Sequence, residues 1–175
     1  MLLVRGECVV ADRYLRVLDD GPIPADMPVI IPAARFIADI EDVSRREAPT
    51  GVLWPNSRRV SELAPHLDRV ALIALEFPSF RDGRAYSQAR VLREQYGFRG
   101  ELRATGNVLR DQFLFLLRAG FDSFEVEKES DAAAFAAAVE RYSVFYQPAA
   151  DRRISALQAR LRHTPQTLAG ARERV

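Results

Sequence analysis

From Val29 onward, short apolar runs alternate with stretches of helical periodicity, the pattern of strands and helices taking turns. Val29–Ile31, Gly51–Trp54, Val70–Phe77, Glu101–Thr105 and Ser123–Val126 read as strands. The nearly continuous run Val70–Phe77 is of the kind buried on both faces of a parallel sheet. Between the strands, Phe36, Ile40 and Val43 make a helical stripe, and Ser57 is placed to cap a short helix reaching His66. Ala85, Ala89, Leu92 and Tyr96 mark a helix over 84–96 that stops at Gly97. Asn107 is placed to cap a helix over 108–119 ending at Gly120, and residues 131–146 form another with Phe135, Val139, Tyr142 and Tyr146 inward. Repeated strand-then-helix units imply parallel pairing through right-handed crossovers. The expectation is an α/β fold whose mostly parallel sheet has about five strands, either flavodoxin-like or a partial (β/α) barrel, since the repeating unit is the same in both.

Ahead of this core, the apolar segments Leu2–Val4, Cys8–Ala11 and Leu15–Leu18 suit a small antiparallel hairpin or meander. Gly21, Pro22, Pro24 and Pro28 then break the chain, because proline removes backbone donors and fixes φ. The chain thus divides into 1–28, hairpin and Pro-rich linker; 29–148, the α/β core; and 149–175, a helical tail. Five successive apolar positions, Phe113–Leu117, predict a helix covered on both sides, by a subunit interface or by the chain's own C-terminal helices. In the tail, Ile154, Leu157 and Leu161 form a thin stripe that can dock weakly or reach another protomer, and a homo-oligomer is expected.

Composition removes several kinds of chemistry. With Cys8 as the single cysteine, the chain forms no internal disulfide, redox pair or thiolate-rich metal site. The two histidines, His66 and His163, lie far apart without a ligand pattern, so no metal is expected. Formal net charge is +1, against a nucleic-acid or membrane surface spread over the fold. The tail departs from this balance: six arginines against Asp151 and Glu173 leave it at +4, and the rest of the chain with 19 basic and 22 acidic side chains. No apolar run approaches the roughly 20 residues of a bilayer span, and Arg5 and Glu7 interrupt any leader-like segment, so a cytoplasmic protein is expected.

Ligands of parallel sheets sit beyond the carboxyl ends of the strands. There Glu76 closes an apolar run, Asp82 and Arg84 occupy the following loop, Ser87 falls in the first helical turn, and Arg103 lies in the next strand. Strand alternation puts Glu101, Arg103 and Thr105 on one face. Two readings fit. Glu76 and Arg103 form a buried ion pair while Asp82 caps the helix; or Arg84 and Arg103 supply forked donors to a small oxyanion such as sulfite or sulfate, helped by Ser87 and oriented by Glu76. No GxGxxG, Walker A, nucleophile elbow or haem-attachment motif occurs, which leaves hydride or electron transfer without residue-level support and the cofactor unassigned. Stacking of Phe80, Tyr86, Tyr96 and Phe98 on a flavin competes with their ordinary role as core.

The string Glu76-Phe77-Pro78, Phe80, Asp82-Gly83-Arg84, Tyr86-Ser87, Ala89-Arg90, Leu92-Arg93, Gly100-Glu101-Leu102-Arg103-Ala104, Gly106, Asp111-Gln112, Arg118, Gly120-Phe121-Asp122 and Phe124 resembles a bacterial family of unknown function whose members carry the label of predicted oxidoreductases of sulfite reduction. The resemblance spans roughly residues 29–147 and is densest over 76–124. It implies a cytoplasmic role in assimilatory sulfite reduction, either binding a small oxyanion or an electron-transfer partner through an arginine-containing pocket, or serving as a non-catalytic accessory subunit beside sulfite reductase. Ala119 stands where many relatives have cysteine before Gly-Phe-Asp, which speaks against a thiol mechanism at that position.

Overall fold

Two rows of side chains leave each strand, and in this protein the two rows meet different surroundings. The computed structural model describes residues 1–6, 8–17, 21–140, 144–151 and 153–163. Its strands are β1 (Leu2–Arg5), β2 (Cys8–Val10), β3 (Leu15–Arg16), β4 (Val29–Pro32), β5 (Thr50–Trp54), β6 (Leu72–Phe77), β7 (Glu101–Gly106) and β8 (Ser123–Val126). Its helices are α1 (Ala33–Ala38), α2 (Ile40–Ser44), α3 (Arg84–Arg90), α4 (Phe113–Ala119), α5 (Ser130–Glu140) and α6 (Ala156–His163). All eight strands join one sheet in the order β2-β1-β8-β7-β6-β5-β4-β3, parallel from β3 to β8 and antiparallel where β1 meets β2 and β8.

From β3 to β8 the strand order follows the chain without reversal. A doubly wound sheet reverses at a switch point and carries helices on both faces; a sequential one sends every crossover to the same side. The outer row, including Ile31, Val52, Trp54, Ile73, Leu75, Leu102 and Phe124, accordingly packs with Phe36 of α1, Ala85 and Ala89 of α3, Phe113 and Leu116 of α4 and Phe135 of α5 in one apolar core. The inner row has a small apolar patch of Ile30, Leu72 and Ala74 against Tyr14 and Leu53, and becomes polar along β7 and β8. Of the two architectures expected, the partial barrel fits.

The sheet curls strongly. Laid flat, its two edge strands would lie seven strand spacings apart, about 34 Å. The four residues 11–14 join β2 to β3 and reach at most about 18 Å from Val10 to Leu15. Arg16 of β3 also donates to Thr105 Oγ1 of β7 at 3.0 Å, four strands away in the sheet. Both contacts require the edges to turn toward each other, with residues 11–14 strapped across the gap.

Eight strands replace the five expected. The antiparallel pair is present, whereas Leu15–Arg16, read as part of an N-terminal meander, pairs parallel with β4 at the far edge. A two-residue strand carries no periodicity of its own. Leu18 lies outside the described residues, as do Asp19 and Asp20 of the linker, Tyr142, and residues 164–175 of the tail.

Local differences have local causes. Short 3₁₀ turns at Val60–Glu62 and Ala64–Arg69 stand where a helix begun by Ser57 was expected. A 3₁₀ turn, Arg110–Gln112, precedes α4, and there the Gln112 side chain accepts from the Leu109 N–H at 3.1 Å, in place of a cap by Asn107. In α4, Phe113 and Leu116 are buried but Phe115 is 67% exposed, so the helix is covered on one side only among the described residues. Phe135 is buried beneath α5, whereas Tyr146, expected inward, is exposed. Ile154, Leu157 and Leu161 are exposed as well.

Candidate functional site

β7 and β8 build the inner face because their sequences alternate: Glu101, Arg103 and Thr105 point inward, as do Ser123 and Glu125, while Leu102, Ala104 and Phe124 face the helices. Arg103 sits at the centre, 1% exposed. Its guanidinium donates through Nη1 to Asp12 at 2.6 Å and through Nη2 to the other Asp12 oxygen at 3.1 Å. It also reaches Glu101 at 3.1 Å and Glu125 at 3.4 Å. Thr105 Oγ1 donates to Glu125 at 2.6 Å, Ser123 Oγ to Glu101 at 2.6 Å, and Arg16 Nη2 to Glu125 at 2.5 Å. Arg5 pairs with Glu101 at the rim.

Three arginines, Arg5, Arg16 and Arg103, thus meet three carboxylates, Asp12, Glu101 and Glu125. Such balance is what makes a buried charge tolerable, since an unpaired one would lose its hydration without compensation. Burial favours the neutral form of Asp12, but the Arg103 hydrogen bonds and the Tyr14 N–H outweigh it, and the carboxyl lies below its ordinary range. Burial likewise opposes the Arg103 charge, and its three carboxylate neighbours reverse the balance, leaving the guanidinium more basic than usual. The Tyr14 ring lies 5.7 Å from the Arg103 guanidinium, and its phenol is pushed up by burial and by Glu101.

Beyond the carboxyl ends of β6, β7 and β8 opens a cleft of about 890 Å³, lined among others by Glu76, Asn107, Asp111, Glu125 and Lys128. Position alone makes it the default ligand site of a parallel sheet. Gly106 turns the chain at its floor with φ +90° and its α-carbon so close to the Phe77 carbonyl that a Cβ would come within 2.5 Å. Arg110, at the start of the α4 turn, pairs with Asp131 of α5. The side chains of Glu76, Asp111, Glu127 and Lys128, the chain's single lysine, make no hydrogen bond or ion pair among the described residues.

The structure separates the residues that the sequence reading grouped. α3 packs on the outer face through Ala85 and Ala89, whereas Arg103 projects from the inner face, so Arg84 and Arg103 do not converge. Arg84 is 60% exposed and closes a two-pronged pair with Asp82, at 2.9 and 2.6 Å, which holds Asp82 well below the usual carboxylate range. Asp82 also accepts from the Arg84 N–H at 3.3 Å, and Ser87 is exposed on the same helix. Glu76 belongs to the cleft and is not a partner of Arg103.

Asp12, Arg16, Glu125 and Lys128 escaped the sequence reading. Glu125 was discoverable from the alternation Ser123, Glu125 in its strand, which repeats that of Glu101 and Arg103. Asp12 and Arg16 had no such signal, because they reach the site only when the sheet curls.

Among the described residues, no three His, Cys, Asp or Glu side chains are grouped to hold a metal ion, and no helix is long and apolar enough to cross a membrane. Among curated proteins no sequence match is found. Residues 51–157, more than half of the chain and running from Gly51 in β5 through β8 to the start of α6, match the family described as "Bacterial protein of unknown function (DUF934)". The matched segment carries nearly all of the cleft lining and three of the six charged groups of the inner network, Glu101, Arg103 and Glu125, and the chain belongs to this DUF934 family.

Proposed function

We propose that this chain is a cytoplasmic accessory component of assimilatory sulfite reduction, receiving a partner such as sulfite reductase at the carboxyl-end cleft. The pathway rests on the resemblance carried by residues 76–124. The observation that supports binding at the cleft is its set of charges with no ion-pair partner among the described residues: Glu76, Asp111 and Glu127 against Lys128. The interior network, by contrast, satisfies each of its six charged groups internally. An excess of free carboxylates suits a cationic side chain on a protein surface better than a free doubly charged oxyanion. Neither turnover nor a bound cofactor is needed for this role. Self-association is a second element of the proposal, with Phe115, Leu157 and Leu161 as the exposed apolar surface for another copy.

Co-expression of the full chain with the reductase encoded in the same cell tests the role. Recovery of the two together, lost when Glu76→Lys and Asp111→Lys are introduced, is the expected result. Equal recovery of wild type and the double variant removes the cleft as the docking surface, and no recovery of wild type removes the accessory role.

A further inference from the structure

The inner network already holds an oxyanion. The two oxygens of the Asp12 carboxylate lie on the two terminal nitrogens of Arg103, at 2.6 and 3.1 Å, the fork geometry by which arginine binds any group with two oxygens on one centre. We propose that Arg103 and Arg16 form a binding site for a small, singly charged oxyanion, and that the Asp12 carboxylate fills it in this structure as the chain's own stand-in. This goes beyond the cleft reading and does not depend on it.

Three features make Asp12 the exchangeable member. Its side chain is 34% exposed, against 12% for Glu101 and 5% for Glu125. Glu101 and Glu125 are fixed on β7 and β8, whereas Asp12 sits in the irregular strap 11–14, held locally by the Tyr14 N–H at 3.1 Å. Charge is the third. With Asp12 in place three cations meet three anions; with the strap lifted, Arg5, Arg16 and Arg103 face only Glu101 and Glu125, leaving one positive charge to be neutralised by a monoanion. Arg16 already acts electrostatically on Asp12 from its place beside Glu125. Glu125 also lines the cleft, so the two regions adjoin.

A tethered competitor is present at millimolar effective concentration or more, so the wild-type chain binds a free oxyanion weakly. Calorimetry with sulfite, buffered acid enough for the monoanion hydrogen sulfite to predominate and at constant ionic strength, is the test, using full-length wild type, Asp12→Asn, and Asp12→Asn with Arg16→Gln. Asp12→Asn is expected to bind at least about tenfold tighter than wild type, with the gain lost on adding Arg16→Gln. Equal affinity in wild type and Asp12→Asn, or no binding by Asp12→Asn, overturns the proposal. Acetate in place of sulfite separates a carboxylate ligand from a sulfur oxyanion. Should Asp12→Asn be poorly folded, amide exchange in wild type gives the second readout. Exchange across residues 11–17 accelerates in saturating sulfite if the strap is displaced, and unchanged exchange contradicts the proposal.

Discussion

A guanidinium as buried as Arg103 is tolerable only while its carboxylates stay in place, and they only while it does. Arg103→Leu is expected to cost about 3–5 kcal/mol in urea denaturation, because it leaves Asp12 without its cation and three carboxylates sharing only Arg5 and Arg16. A loss under about 1 kcal/mol would mean that the network relaxes without cost. Arg103→Lys is also destabilising, since a single ammonium cannot reproduce the fork. Tyr86 contributes to alkaline instability: half-buried against Phe77, its phenol is pushed up to about 12 by burial and by Asp111. A raised value means that its contribution is complete below the ordinary value near 10 and is lost as pH climbs toward 12. Tyr86→Phe should therefore flatten the fall in stability between those two pH values, and an unchanged profile would assign the alkaline loss to another group. Asp12 acts at the opposite end. Its lowered value stabilises the fold above the ordinary carboxyl range, and the gain disappears as acid protonates it. At this scale the sequence showed that Glu101, Arg103 and Thr105 share a face, since strand alternation is a local rule. It could not show that Asp12, 91 positions before Arg103, would close the circle of charge.

Elements followed their sequence signals where those signals were long or chemically strict. The five predicted core strands all form, and Gly120 ends α4 in the left-handed conformation, φ +104°. α3 runs on through a π-helical stretch, Val91–Gln95, to Gly97 at φ +64°, close to the predicted stop. Short elements did not announce themselves: the two-residue β3 and the 3₁₀ turns have too few positions to show a period. Gly106 is the strictest joint, where left-handed backbone and contact with the Phe77 carbonyl coincide at the cleft floor. Gly106→Ala is expected to lose more than about 2 kcal/mol, combining left-handed strain with a backbone clash. Thermal denaturation measures it, and a wild-type melting temperature would show that β7 can shift away from β6.

At the scale of the whole molecule, sequential strand order places the helices outside and the charges inside, and a four-residue strap forces the edges together. Periodicity could not choose between an open sheet and a partial barrel, because curl is decided by which edges meet. For the same reason Arg84 and Arg103, close in a linear reading of strand and loop, end on opposite faces. Self-association belongs to this scale too. Sedimentation of wild type as a dimer, with Phe115→Asp and Leu161→Asp shifting it to monomer, is the expected outcome; a wild-type monomer rejects the apolar surface as a dimer contact. The central claim is docking at the carboxylate-rich cleft, and titration of purified reductase with the purified chain measures it most directly. Saturable binding that weakens with salt and is abolished by Glu76→Lys with Asp111→Lys is the result expected. Binding of undiminished strength by that double variant, or none by the wild type, would contradict it.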